Sequence, residues 1–153
     1  MFHVKHRKVV KMKTKHIFTF ITGIISTFVI HYLGGWDFAL QTLVMFIVID
    51  YVTGMYVAGI LHKSPKTQSG GLSSEKGFHG IIKKIMLLVF VAIMYRLDLF
   101  FNIDYLRNGT IVAYCVNELI SIIENAGLMG VYVPDIVKRG IDLLNREVDD
   151  NEN

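Results

Sequence analysis

The sequence predicts an all-α membrane protein with about four transmembrane helices, three at the least, carrying a basic N-terminal tail and a C-terminal amphipathic helix. Three observations predict it. Mean hydropathy is +0.45 with 52% apolar residues, high for a globular chain of 153 residues, so lipid is the solvent for much of the surface. Charged residues make up only 19% and fall in blocks, as they do in the connectors between membrane spans. Four apolar runs, 17–33, 38–61, 81–101 and 110–133, approach the length that crosses a hydrocarbon core of about 30 Å. The length suits one domain, read as a cytoplasmic basic tail over 1–16, a membrane domain over 17–133 and a cytoplasmic amphipathic tail over 134–153.

Six of the sixteen basic residues lie in the first fifteen positions: Lys5, Arg7, Lys8, Lys11, Lys13 and Lys15. No aromatic interleaving or helix-turn-helix pattern follows them, so they speak for membrane orientation and against nucleic-acid binding. Met12 offers a second start, whose product lacks four of those charges. The run 17–33 would span about 25 Å at 1.5 Å per residue. Bulky His31, Tyr32 and Leu33 follow in place of a small-residue cleavage site, which argues against a cleaved leader.

Gly34, Gly35 and Trp36 form a turn, with Trp36 a ring suited to the membrane interface. The run 38–61 carries a single charge, Asp50, near its middle. Residues 62–80 read as a polar connector with Pro65, Gly70, Gly71, Gly77 and Gly80 as breakers. The run 81–101 has Lys83 and Lys84 at its start and Arg96 and Asp98 near its end, charges that must snorkel or pair. In the run 110–133, Tyr114, Asn117, Glu118, Ser121 and Asn125 share an arc of about 100°, with Glu124 just outside. After Pro134, which suits a helix first turn, Val137, Ile141, Leu144 and Val148 share a stripe. Basic residues concentrate in the N-terminal tail, in 63–84 and in the C-terminal tail. The positive-inside bias therefore puts both termini in the cytoplasm.

Asp50 is the leading functional candidate, because a carboxyl at the bilayer centre costs roughly 2.5 to 3.5 kcal/mol even on insertion scales. Two accounts offset that cost: a neutral carboxyl hydrogen-bonded to a neighbouring helix, or a pore-lining or subunit-pairing role. Gly54, Ala58 and Gly59 add small residues that let helices approach closely, within one chain or between chains. The stripe of Asn117, Glu118, Ser121, Glu124 and Asn125 is either the satisfied interior of one subunit or the wall of a water-filled hole after assembly. Glu118 and Glu124 have no accompanying nucleophile or base, so no catalytic residue is assigned. The lone Cys115 and the scattered histidines supply no disulfide framework and no metal site, and no cofactor is expected.

Three stretches in order carry a family resemblance: DYVTG at 50–54, SSEKGFHGIIKK at 73–84 and NELISIIENAGLMGVYVP at 117–134. Together they resemble the phage holin family that includes clostridial toxin-secretion holins. The resemblance covers about two thirds of the chain and implies a non-enzymatic, homo-oligomeric protein of the bacterial cytoplasmic membrane. It implies assembly into pore-forming lesions that let an endolysin or a toxin cross, timing cytolysis, with the bilayer and further copies as partners. The residues themselves also admit a small ion channel or transporter subunit, or a membrane adaptor whose C-terminal helix docks a soluble partner.

Overall fold

The computed structural model describes residues 19–140 apart from 21, 24, 25, 66–68 and 138. The basic tail, Met12, Ile141, Leu144 and the acidic end lie outside the described residues. Two compact units divide the chain between Trp36 and Asp37. In the first, residues 26–32 are helical. Gly34 and Gly35 close that helix at φ 84° and 104°, and the Gly35 N–H donates back to Ile30 O at 2.9 Å.

The second unit contains three helices, α1 (Phe38–Gly59), α2 (Ser74–Phe101) and α3 (Leu106–Leu128). Each is long and apolar enough to cross a membrane, and the described residues include no strand. The apolar run 17–33 is only partly described, so the count of four spans rests on sequence for its first member.

Local chemistry explains each boundary. Asp37 starts α1, its carboxylate accepting from Leu40 N at 2.9 Å, which satisfies one of the orphan donors at a helix N-terminus. The connector doubles back at Gly70, where φ is +70° and a Cβ would fall 2.1 Å from His62 O; only glycine fits there. Helix α2 begins seven residues before the apolar run at 81, because Ser73 caps it and Glu75 sits favourably in its first turn. Gly77 and Gly80, expected as connector breakers, are therefore helical. Asn102, left-handed at φ 56°, ends α2, and Ile103 N donates to Asp98 O at 2.9 Å.

Helix α3 starts at Leu106, four residues before the expected span, because the cap comes from the preceding helix. The Asp98 carboxylate accepts from Leu106 N at 3.0 Å and from Arg107 N at 2.9 Å. It ends before the expected 133: Gly130 turns to φ 82°, and Val131 N closes on Ala126 O at 3.0 Å. Pro134 then accepts from Val137 N at the start of a further helical turn.

Helices α1 and α3 run parallel, with α2 returning between them in sequence. α3 packs against both, whereas α1 and α2 scarcely touch. Leu40, Leu43, Val57, Val91 and Ile111 form the fully enclosed apolar core of the described residues. Large apolar side chains such as Phe38, Val52, Ile85 and Val112 cover the outside, as expected where the surrounding solvent is hydrocarbon. At one end, Arg107 Nη1 lies 2.6 Å from Asp37 Oδ2 and joins the starts of the two parallel helices.

That hydrogen bond to Arg107 holds the Asp37 carboxyl below its usual range, against the opposing effect of burial. A depressed carboxyl contributes stability above its unfolded-state value and loses it as pH falls through the folded-state value. The melting temperature of purified protein in detergent should thus exceed that of Asp37→Asn at pH 7, and the gap should close toward pH 3. A gap independent of pH would show that the ion pair contributes nothing.

Candidate functional site

The three helices bring one charged residue each to a common layer. Helix α1 spans about 33 Å at 1.5 Å per residue. Asp50 stands about 18 Å from its first residue and about 14 Å from its last. Glu118 stands about 18 Å and 15 Å from the two ends of α3. Both carboxylates are therefore near mid-membrane if these helices cross it, and both are buried, Asp50 at 5% and Glu118 at 1% exposure.

Lys84 of α2 lies between them. Its ammonium is 2.7 Å from Asp50 Oδ2 and donates a close hydrogen bond to Glu118 Oε2. The second Asp50 oxygen accepts from Asn125 Nδ2 at 3.0 Å, and the same amide lies 3.1 Å from Thr53 Oγ1. Thr53 turns its own hydroxyl proton back to Ile49 O at 2.8 Å, leaving its lone pairs for the amide. Among the described residues no buried side-chain polar atom lacks a hydrogen-bond partner. Such completeness is what makes a buried ionic cluster tolerable, since each ion loses several kcal/mol of hydration, by rough estimate, on leaving water.

Burial of this layer follows from helical spacing. Leu43, Val91 and Ile111 each lie seven residues, or two turns, from Asp50, Lys84 and Glu118. All three are fully buried, so an apolar layer seals the ionic one on the side of the Asp37 clasp. On the other side, a cavity of about 700 Å³ extends from Asp50 and Lys84 to Ser64 and Leu72 of the connector, with Ser121 and Glu124 on its α3 wall. One lysine against two carboxylates leaves the layer a formal charge of −1, facing the cavity at one end and the Leu43, Val91 and Ile111 side chains at the other.

The residues singled out from sequence separate into two groups. Asp50, Glu118 and Asn125 meet in the ionic layer, and Gly54 faces it: a Cβ there would lie 3.6 Å from Asn125 Nδ2. Ala58 is buried, and Ser121 is half-buried. Gly59, Asn117 and Glu124 are exposed on the three-helix unit, so the polar stripe of α3 is only partly an interior feature. Sequence reasoning missed Lys84 as the partner of Asp50, having placed it where the chain enters the membrane. It gave no role to Asp37 or Arg107, and it read Asp98 as a charge that must snorkel or pair without seeing it as the cap of α3. The available signal was the seven-residue spacing of Lys84, Val91 and Asp98, which puts three interior positions on one face of α2.

Removing Lys84 would leave two buried carboxylates without a cation. Lys84→Met should cost about 3 to 5 kcal/mol in denaturant unfolding of the purified protein. Adding Asp50→Asn and Glu118→Gln to Lys84→Met should recover most of that loss, because the layer is then neutral. Additive losses in the triple variant would show that the three groups do not act together.

Comparison with known proteins agrees with this membrane architecture. A family model described as the bacteriophage holin family matches residues 27–146. An uncharacterized protein of Listeria innocua is 40% identical over 120 residues, covering 78% of this chain and 80% of that protein. An uncharacterized 14.9 kDa protein of Clostridium perfringens, in the nagH 3' region, is 35% identical over 116 residues, covering 74% and 82%. The YqxH protein of Bacillus subtilis, also uncharacterized, is 27% identical over 123 residues, covering 80% and 82%. No solved structure matches the chain. With the family model spanning well over half of its length and its three apolar helices able to cross a membrane, the chain belongs to the bacteriophage holin family.

Proposed function

We propose that this chain is a phage holin that inserts in the bacterial cytoplasmic membrane and oligomerises into lesions that release an endolysin or a toxin, setting the time of lysis. The observation that carries this reading is the ionic layer of Asp50, Lys84 and Glu118 inside an otherwise apolar bundle. A lesion through lipid needs a polar wall, and a protein that first accumulates harmlessly needs that wall hidden. In the closed unit the charges satisfy one another. When helices separate and reassemble, the same groups, together with Ser121, Glu124 and Asn125, turn to water and line the opening, with Asn117 on the side of α3 toward neighbouring copies. Gly54, Ala58 and Gly59 let neighbouring helices approach during assembly. The chain acts as a membrane lesion former with no enzymatic step and no cofactor.

In this reading the connector 60–73 and both termini are cytoplasmic. The basic-residue count supports it, and so does the geometry, because α1 and α3 run parallel and end on the connector side. Reporters fused after Asn153 and inserted near Pro65 should both read as cytoplasmic. An external signal from the connector would overturn the arrangement.

Expression in a bacterial host should release a folded cytoplasmic reporter enzyme into the medium at a reproducible time. Asp50→Asn should shift that time without abolishing release, since asparagine keeps the size and hydrogen bonding of aspartate but cannot ionise. Ion-selective current with no escape of folded protein would instead identify a small channel.

A further inference from the structure

Helix α3 carries a second face that the three-helix unit leaves uncovered. With Glu118 set at zero and 100° per residue, Arg107, Ile111 and Asn125 fall within about 20° and form the interior face. Thr110, Asn117 and Glu124 fall about 80 to 120° away, and Ala113, Ile120 and Gly127 about 140 to 180° away. These six residues repeat at intervals of seven in two series offset by three, the a and d pattern of a helix-pairing seam. Ala113, Asn117, Glu124 and Gly127 are exposed, with Glu124 and Gly127 also bordering the cavity, and Thr110 and Ile120 are half-buried.

Asn117 makes that face more than an apolar surface. It stands about 17 Å from the first residue of α3, a depth at which an amide turned to hydrocarbon leaves its donors and acceptor unsatisfied. We propose that this face pairs with the same face of a second copy, Asn117 against Asn117. The choice of partner follows from chemistry. Copies inserted with one topology present their α3 helices parallel and in register, and an amide is both donor and acceptor, so two asparagines at one level complete each other. A single asparagine at an a position also fixes register in parallel helix pairs. Ala113 and Gly127 at d positions let the backbones come close. Glu124 sits four residues before the end of α3, where its charge stays at the water boundary. The proposal rests on the reading that the chain self-assembles in the membrane, and it names the surface that does so.

Cysteine cross-linking of the full-length protein in native membranes tests it, in a Cys115→Ser background. Single substitutions Thr110→Cys, Ala113→Cys and Ile120→Cys lie on the seam and keep Asn117; Val112→Cys and Leu119→Cys lie on α3 off it. Copper-phenanthroline oxidation should give disulfide-linked dimers at the seam positions at least fivefold more abundantly than off it. Asn117→Leu should lower the Ala113→Cys yield at least threefold. Equal yields at both sets would overturn the pairing. So would an Ala113→Cys, Thr27→Cys chain that oxidises within itself in place of dimerising, since the N-terminal helix would then cover the face. Release of the cytoplasmic reporter separates this proposal from the reading beneath it. Seam-patterned dimers without release uphold the pairing and overturn the lesion, whereas release without the seam pattern overturns the pairing alone.

Discussion

A single ammonium shared by two carboxylates, at the middle of three apolar helices, sets the terms for the rest of the structure. Lys84 reaches Asp50 and Glu118 together, so no one helix can shift without leaving a charge behind. Hydrocarbon offers no replacement partner, and the layer borders a cavity on the connector side. The remaining requirements follow. The lysine comes from a helix running opposite to the two that carry the carboxylates, the apolar layer on the Asp37 side is tightly closed, and every spare hydrogen-bonding site must be taken. Asn125 meets the last of these by occupying the second Asp50 oxygen.

The same spacing that places the ionic layer also places its neighbours. Moving two turns from the layer reaches Leu43, Val91 and Ile111, and a further two turns along α2 reaches Asp98. Asp98 caps the N-terminus of α3 with both carboxylate oxygens, while Arg107 in that first turn reaches Asp37, the cap of α1. Charge, apolar packing and helix capping thus alternate along one axis. The two polar layers differ in kind. The Asp37 clasp is at a helix end and partly wet, where an ion pair contributes little; the Lys84 layer is buried, where breaking a pair is costly.

Much of the architecture was legible in the sequence, because membrane helices announce themselves by unbroken apolar length and Asp50 was conspicuous within one. The turn at Gly34 and Gly35 and the helical start at Pro134 were equally readable from local chemistry. The boundaries of α2 and α3 were not. The Ser73 cap carries a helix through Gly77 and Gly80 despite the usual meaning of glycine, and α3 takes its cap from Asp98, eight residues upstream in a different helix. Lys84 was read as a charge that must snorkel or pair, but its partners were not named, since hydropathy measures what a side chain costs in lipid and is blind to a partner 34 residues away. Partnerships of that kind depend on three-dimensional register, and only the seven-residue spacing from Lys84 to Asp98 hinted at it.

The two faces of α3 bear differently on assembly. Its inner face is complete: Glu118 and Asn125 have partners within the chain, and opening that face in lipid exposes charge. Its outer face holds Asn117 at nearly the same depth, with an amide that the three-helix unit does not enclose. Association through the outer face requires no prior opening, so on the proposed reading copies can pair while the Lys84 layer stays closed. Opening is the more demanding step, because it must break Lys84 from its carboxylates. It becomes favourable only where enough copies are gathered for the released charges to face a shared volume of water in place of lipid. On the proposed reading, the order of events is then a property of one helix: the face that costs least to pair gathers the copies, and the face that costs most to open delays the lesion.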